Sequence, residues 1–242
     1  MTSHVVLGQR VETPVQIRQA TAFMAMYSVP ADTAQRLIDD TGLAILRYRP
    51  GRGLCGLVFV DYVDGDLGPY NEFGVVFLVR NHRTRGGSVL GDLRALATGR
   101  SGALIRHLPV DGDFTLAAGR GIWGFPKVLA DFTADHVSDV KHASVSQNGR
   151  LIVDLTVQKG LALPGGAAST TMQAYSCLDG VTRVTSWDWN PDGARTRLGG
   201  AELTLGSHPI ADELRSLGLP RGALMTTSIP DLGMTFGDAT AL

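Results

Sequence analysis

The sequence predicts a mainly β fold, a β-rich α+β arrangement of antiparallel strands with a few peripheral helices. Short runs rich in β-branched and aromatic residues alternate with turn residues along most of the chain, a pattern typical of antiparallel sheets. Two of the turns, Asn148-Gly149 and Asp179-Gly180, join neighbouring runs directly. Asn, Asp and Gly tolerate the positive φ of a tight hairpin turn. Each dipeptide therefore predicts a β-hairpin.

Nine runs have the composition of strands, and three segments have that of helices. The helix before Gly218 begins with Pro209, and an earlier helix can be capped around Asp32, which are common boundary signals. The candidate strands are residues 44–48, 54–62, 72–80, 103–109, 128–133, 143–146, 151–157, 170–178 and 182–187. The candidate helices are residues 30–40, 113–118 and 209–217.

Length and charge limit the possible classes of protein. A chain of 242 residues with no internal repeat and no linker rich in Pro, Gly or Ser predicts one domain, 1–242. Its 22 basic and 23 acidic residues give a net charge of −1, which provides no basic surface for nucleic acid. The cysteines, Cys55 and Cys177, occur in apolar runs, where reduced thiols are the usual state. We expect no nucleic-acid partner and no disulfide.

Targeting and metal-binding patterns are equally sparse. The first residues lack the basic start and apolar stretch of a signal peptide, and no run approaches the ~20 apolar residues of a membrane span. We expect a cytoplasmic protein with no membrane partner. The histidines lack the spacing and the Cys-x-x-Cys company of zinc ligands, so we expect no metal and no other cofactor. They are His4, His82, His107, His136, His142 and His208.

The segment Gly119-Arg-Gly-Ile-Trp-Gly124 matches the dinucleotide fingerprint G-x-G-x-x-G. That fingerprint binds a pyrophosphate only where a strand precedes it and a helix follows, because the helix N-terminus holds the phosphates. Here Pro126 and the strand-like run 128–133 follow it. We therefore interpret the match as accidental and predict no nucleotide site.

Lys127 lies in a dense apolar and aromatic neighbourhood, with a rigid proline immediately before it. An ammonium that leaves water loses solvation and its pKa falls, so a neutral, nucleophilic amine becomes available near neutral pH. The alternative is a surface lysine whose stem packs on a strand end while its charge stays in water. The residue types alone leave both interpretations open.

The segment Gly124-Phe-Pro-Lys127, preceded by Leu116-Ala-Ala-Gly-Arg120 and followed by an apolar strand, resembles the active-site signature of the acetoacetate decarboxylase family. Two other segments, Gly68-Pro-Tyr-Asn-Glu72 and Leu205-Gly-Ser-His-Pro-Ile-Ala-Asp-Glu-Leu214, also resemble parts of that family. The resemblance covers most of the chain, and the Pro-Lys segment is its most specific part. It implies a closed antiparallel cone or barrel whose interior forms the pocket.

By this resemblance, Lys127 matches the lysine that forms a Schiff base with the substrate. Lysine nucleophiles are activated by desolvation or by a neighbouring cation, and acetoacetate decarboxylase is itself the standard example. Glu72 matches the pocket carboxylate that positions substrate or moves protons, although alone it would indicate an exposed strand charge. The candidate substrate-binding residues in the matching segments are Tyr70, Ser28, Trp123, Phe125 and Arg120.

Three positions depart from the family pattern. Val128 replaces a second lysine, so activation here would depend on desolvation more than on repulsion between cations. Gly121 replaces a glutamate, and Ser28 replaces an arginine that could give a substrate carboxylate paired, charged hydrogen bonds. We therefore expect acetoacetate to be decarboxylated at least ~100-fold more slowly than in arginine-bearing relatives, unless Arg47 or Arg80 supplies the charge.

The implied partner is a small keto acid, because an imine at lysine is an electron sink for the adjacent carbon. One hypothesis is a lyase that decarboxylates a β-keto acid. A second is a pyruvate-type aldolase-dehydratase that uses the same lysine. A third is a ligand-binding barrel without catalysis, since a fold can outlast its function. The resemblance also implies a homo-oligomer.

Overall fold

The computed structural model describes residues 2–81, 87–98, 100–162 and 169–242, so His82 lies outside the described residues. The strands are β1 Thr2–Val6, β2 Gln9–Thr13, β3 Val15–Pro30, β4 Arg52–Gly65, β5 Tyr70–Val79, β6 Gly102–Val110, β7 Lys127–Leu129, β8 Asp131–Asp135, β9 Lys141–Gln147, β10 Arg150–Val157, β11 Leu161–Ala162, β12 Thr170–Leu178, β13 Val181–Asp192, β14 Arg195–Leu198, β15 Ala201–Leu205 and β16 Met225–Ala241. The α-helices are α1 Ala31–Ile38, α2 Val89–Ala97, α3 Asp113–Ala118 and α4 Pro209–Ser216.

Seven strands close into a barrel in the order β3, β4, β5, β6, β12, β13 and β16, and β16 pairs back with β3. Neighbouring strands are antiparallel except for the parallel pair β6 and β12. Closure leaves these strands without open edges and encloses an interior. The mainly β, closed-barrel fold is therefore confirmed.

Alternate side chains along the barrel strands point into two different environments, the core outside the barrel and the cavity inside it. In β4, Cys55, Leu57 and Phe59 belong to a core on the outer face of the barrel, whereas Val58 and Val60 line its interior. Successive side chains of a strand point to opposite faces of the sheet. Each of these strands therefore builds a packed outer core with one set of residues and a cavity wall with the other.

A second layer covers the outer core. The strands β15, β10, β9 and β8 form a four-stranded sheet in that order. Its buried residues, such as Ile152 and Leu155, belong to the same core cluster as Phe59 of the barrel and Leu214 of α4. This packing holds the barrel wall from outside while the interior remains open for a site.

Both predicted hairpins are confirmed. Asn148 and Gly149 have φ values of 52° and 70° and join β9 to β10. Asp179 and Gly180 have φ values of 53° and 74° and join β12 to β13. The predicted helix 113–118 coincides with α3, and the other two predicted helices overlap α1 and α4.

Other predictions were wrong in detail. Residues 44–48 form only an isolated bridge, from Ile45 to Val79. The predicted strand 128–133 is split, because β7 pairs with β6 of the barrel and β8 pairs with β9 of the outer sheet. Strand β16 was missed because Pro230 and Gly233 break its pattern, and they occur where the register with β3 shifts.

Within the described ranges, no helix has the length and apolar character needed to cross a membrane.

Leu214 of α4 tests the contribution of the outer core to stability. Its side chain is fully buried, with 0% exposure. Leu214→Ala should lower the free energy of unfolding by about 2 to 5 kcal/mol, because it leaves a cavity where the helix packs. Urea denaturation measures this change, with Leu198→Ala, at an 87% exposed position, as the matched control. Equal stability of the two variants would contradict this account of the core.

Candidate active site

The chain around Lys127 turns sharply between α3 and β7. A π-helical turn, Gly119–Trp123, follows α3, and Gly124 ends it in the left-handed region at φ 64°. The backbone N–H of Phe125 donates to the carbonyl of Gly119 at 3.0 Å. Lys127 then begins a strand that lies parallel to β6, with Leu108 as its partner. The turn therefore delivers the lysine side chain to the barrel interior.

Gly119 is required by the close approach of the Lys127 side chain. A Cβ at Gly119 would lie 2.5 Å from Cδ of Lys127 and 2.7 Å from its Cε. Side-chain carbons keep about 3.5 to 4 Å apart, so only glycine leaves room for the lysine stem. A helix precedes this glycine-rich segment and a strand follows it. This order is the reverse of the strand-then-helix context that the dinucleotide fingerprint needs.

Lys127 is buried at 3% exposure and has three neighbours around its amine. Its Nζ lies 2.9 Å from Oε2 of Glu72. The amine also donates a hydrogen bond to Oγ1 of Thr115 at 2.7 Å. It lies 4.7 Å from the ring centre of Tyr70, within the range of a cation–π contact. These contacts fix the position of Nζ from three sides.

Two tyrosines complete the surroundings of Glu72. The hydroxyl of Tyr62 donates to Oε1 of Glu72 at 2.8 Å. The rings of Tyr62 and Tyr70 are stacked, with centres 4.1 Å apart. Burial, and then the negative charge of Glu72, raises the pKa of both tyrosines well above the usual value. Both phenols therefore remain neutral, and Tyr62 remains a hydrogen-bond donor to the carboxylate.

The pKa of Lys127 is lowered because burial removes solvation from the ammonium, although the nearby Glu72 carboxylate opposes this effect. Loss of solvation outweighs attraction to one carboxylate. The neutral amine is therefore more accessible than in an ordinary lysine, and Glu72 is within reach to accept its proton.

Lys127 and Glu72 share a cavity of about 410 Å³ inside the barrel. Among the described residues that line it, only these two carry a formal charge. Most of the other lining side chains are aliphatic, aromatic or methionine. A charged pair within such a lining is an arrangement that favours perturbed proton affinities and covalent chemistry.

The aromatic residues of the Pro-Lys segment also line the cavity. The rings of Trp123 and Phe125 are stacked with centres 5.6 Å apart, and Nε1 of Trp123 donates to the carbonyl of Gly237 at 2.7 Å. Arg120 is exposed, and its guanidinium donates to the carbonyl of Lys127 at 3.3 Å. Because Arg120 contacts the backbone of Lys127, it stabilises the turn that carries the lysine.

Ser28 lies far from the lysine. Ala22 marks the level of the lysine site on β3, because it pairs with Val60 of β4, and Val60 pairs with Glu72 of β5. Ser28 is six residues further along β3, a distance of about 20 Å along the strand. Its hydroxyl accepts hydrogen bonds from Tyr48 and Arg52. A group at position 28 is therefore too distant to hold the carboxylate of a substrate on Lys127.

Neither of the arginines considered as replacements reaches the site. Arg47 pairs with Asp32 at 2.7 Å, and Arg80 pairs with Asp92 at 2.7 Å. The described cavity lining includes no arginine. A substrate carboxylate inside this cavity therefore meets no guanidinium from the described part of the chain.

Sequence reasoning missed Tyr62 and Thr115, which bind Glu72 and Lys127 directly. Tyr62 ends a hydrophobic run and Thr115 lies within a short helix. Neither position has a local signal. Only the period-two alternation along β4, which brings Val58, Val60 and Tyr62 to the same face, could have indicated Tyr62.

The close packing at Gly119 gives a test of lysine placement. Gly119→Ala should slow borohydride trapping of a small keto acid at Lys127 by about 100-fold, since a displacement near 1 Å has effects of that size. Gly121→Ala is the matched control, because a Cβ there would have no neighbour within 4 Å. Intact mass measures trapping, and urea denaturation identifies loss of folding. Wild-type trapping by folded Gly119→Ala would contradict the role given to this glycine.

Comparison with solved structures identifies the fold. An acetoacetate decarboxylase from Legionella pneumophila aligns with a TM-score of 0.68 at 19% identity, covering 97% of this chain and 90% of the other. An acetoacetate decarboxylase-like enzyme from Sphingomonas wittichii RW1 aligns with a TM-score of 0.61 at 16% identity, covering 96% and 94%.

A third similar structure is the enduracididine biosynthesis enzyme MppR complexed with pyruvate. It has a TM-score of 0.66 at 16% identity and covers 96% of this chain and 91% of that one. No curated protein sequence matches the chain. The family model for acetoacetate decarboxylase matches residues 6–239. The chain therefore belongs to the acetoacetate decarboxylase family.

Proposed function

We propose that the protein decarboxylates a β-keto acid through a Schiff base at Lys127. One observation carries this proposal: the Lys127 amine and the Glu72 carboxylate lie 2.9 Å apart in a cavity whose other described lining residues are uncharged. The lowered pKa of Lys127 supports its use as a nucleophile. The carboxylate gives the amine a nearby acceptor for its proton.

The reaction proceeds through an iminium. The neutral amine attacks the ketone carbon, and loss of water from the addition product gives a protonated Schiff base. The bond to the carboxylate carbon then breaks, and its electron pair moves into an enamine as carbon dioxide leaves. The enamine carbon then takes a proton that comes from water, and the Glu72 carboxyl group is the nearest ionisable side chain that could pass it on. Water then hydrolyses the imine to release a ketone and the free amine.

The distribution of charge favours decarboxylation over chemistry on pyruvate. A carboxylate in an apolar cavity is costly unless a cation pairs with it. A β-keto acid loses this charge as carbon dioxide, so the unfavourable environment promotes bond breaking. Pyruvate keeps its carboxylate through aldol addition and dehydration. Among the described lining residues, Lys127 is the only basic one. Because it is bonded covalently to the substrate, it cannot also act as a separate counter-ion for the pyruvate carboxylate.

An aldolase-dehydratase remains the second candidate. It would use the same imine, and Glu72 is near enough to Lys127 to move protons at the adjacent carbon. The structure of MppR complexed with the condensation product of pyruvate and imidazole 4-carboxaldehyde has a similar fold, at 16% identity. Product analysis with acetoacetate, pyruvate and pyruvate plus an aldehyde separates the two reactions.

Borohydride trapping tests the nucleophile. Reduction in the presence of acetoacetate or pyruvate should attach one adduct per chain at Lys127, because Lys127 is the buried member of three lysines. Lys127→Arg should abolish trapping, since a guanidinium stays protonated. Intact mass and peptide mapping measure the adduct.

Lys159→Arg is the matched control for this test, because the Lys159 amine pairs with Asp139 at a half-exposed position. It should trap as the wild type does. Circular dichroism should show the same folded spectrum for both variants. Labelling at Lys141 or Lys159 instead of Lys127, or no labelling at all, would refute the proposed nucleophile and favour a binding protein without catalysis.

Glu72→Gln tests the carboxylate. Imine formation should persist, because loss of the negative charge removes an interaction that raises the pKa of Lys127. Turnover should fall about 100-fold or more, the usual effect of losing a positioned acid or base. Carbon dioxide release measures turnover, borohydride trapping measures the imine, and Glu202→Gln on β15 is the surface control. Unchanged turnover would return Glu72 to a structural role.

A further inference from the structure

The cavity wall on β16, β3, β4 and β5 is built in three rows of paired residues. The bottom row runs through Ile229, Ala22, Val60 and Glu72. The middle row runs through Thr227, Met24, Val58 and Gly74. The top row runs through Met225, Met26, Gly56 and Val76. Apart from Ala22, all of these residues line the cavity.

Exposure rises from the bottom row to the top row. In the bottom row, Glu72 is 8% exposed and Ile229 is 3% exposed. In the top row, Met225 is 38% exposed, and Met26 and Val76 are half-buried. The top row therefore lies toward the mouth of the cavity, where half-buried Leu78 of β5 also lines it, and Lys127 with Glu72 lies toward the buried end.

The dimensions of the cavity exceed those needed for acetoacetate. The wall from Glu72 to Leu78 spans six residues of β5, about 20 Å along the strand or about 15 Å along the barrel axis for a usual strand tilt. The cavity also continues past Glu72 to Tyr62 and Met234, so a volume of about 410 Å³ over at least that depth gives a mean width of at most about 6 Å. Such a width accommodates one extended chain, since carbon atoms pack at about 4 Å.

The lining between the deep end and the mouth is chemically suited to an alkyl chain. Met24 and Met26 occupy the middle and top rows of β3, and Met225 faces them from β16. Methionine is flexible and polarisable, so it adapts to a chain of variable shape. Gly74 and Gly56 have no side chain and leave the centre of the wall open.

We propose that the substrate is a 3-oxo acid with an unbranched alkyl chain of medium length, bound with its keto carbon at Lys127 and its chain extending along the three rows to the mouth. This substrate class depends on the proposed function for its carboxyl group. The chain pocket itself depends only on the shape and lining of the cavity.

A series of keto acids tests the chain pocket. Burial of each methylene contributes about a fourfold gain in binding. The kcat/KM for carbon dioxide release should therefore be at least ~50-fold higher for 3-oxooctanoate than for 3-oxobutanoate. It should remain high for 3-oxododecanoate, since about eleven carbons fit in 15 Å at roughly 1.3 Å per carbon. Equal or lower values for the longer acids would overturn the proposal.

Substitutions at two glycines of the cavity wall should shorten the longest alkyl chain that the cavity accepts. A Cβ at Gly74 or Gly56 has its nearest neighbours at 3.6 Å or 3.5 Å, so a small side chain fits at either position. Gly56→Leu should lower the preference for 3-oxododecanoate over 3-oxobutanoate at least ~20-fold, because it obstructs the top row. Gly74→Leu should also lower the preference for 3-oxooctanoate. Gly56→Ala and Gly74→Ala are the matched controls, and identical chain-length profiles for the Leu and Ala variants would contradict the assigned path.

Neutral ketones separate this proposal from the decarboxylase proposal, because they form the imine without a carboxylate. Borohydride should trap 2-undecanone at Lys127 at least ~50-fold better than acetone at equal subsaturating concentration. That result without carbon dioxide release from any keto acid would refute the decarboxylase and leave the chain pocket supported. Equal trapping of both ketones would refute the chain pocket.

If borohydride traps no ketone, tryptophan fluorescence can still measure ketone binding in the cavity. Trp123, Trp187 and Trp189 all line the cavity, so an occupied cavity changes their emission. Saturable binding of 2-undecanone, tighter than that of acetone and weakened by Gly56→Leu, would support the chain pocket independently of Lys127 chemistry. No length dependence of binding would overturn it.

Discussion

The cost of removing the Lys127 charge from water is the constraint on which the site depends. Apart from Glu72, the described residues around the buried amine are uncharged, and the Glu72 carboxylate offsets only part of that cost. Buried ion pairs generally contribute little net stability, because the loss of solvation competes with the attraction. The main effect of this arrangement is a lowered pKa of the Lys127 amine, with the Glu72 carboxylate beside it as a proton acceptor. Its stabilisation has to come from the rest of the barrel.

Several features of the fold follow from that constraint. Gly119 lets the lysine stem pass, the stacked pair Tyr62 and Tyr70 borders the carboxylate and the amine, and Thr115 accepts a hydrogen bond from the amine. These contacts come from α3, β4, β5 and β7. The outer sheet and its core supply the apolar burial that holds these elements together. The open, methionine-lined part of the barrel then remains available to a substrate.

The sequence predicts the local features of this protein well and the contacts between distant segments poorly. The turns at Asn148-Gly149 and Asp179-Gly180 are determined by their own residues, so both hairpins were predictable. The contact between Glu72 and Lys127 depends on the pairing of β5 with β6 and of β6 with β7, and composition does not show it. The family resemblance selected these two residues. It also directed attention to Ser28, which the register along β3 places too far away to contact the same substrate atoms.

The central claim is that Lys127 titrates at a lowered pKa inside the barrel. The chain has only three lysines, so NMR of protein labelled with ¹³C at the lysine ε-carbons gives a spectrum that can be assigned with Lys127→Arg. We predict that the resonance absent from that variant titrates below the usual lysine pKa of about 10.4. A Lys127 resonance that titrates at or above the usual value would contradict the account, because the buried amine would then be held as a permanent cation.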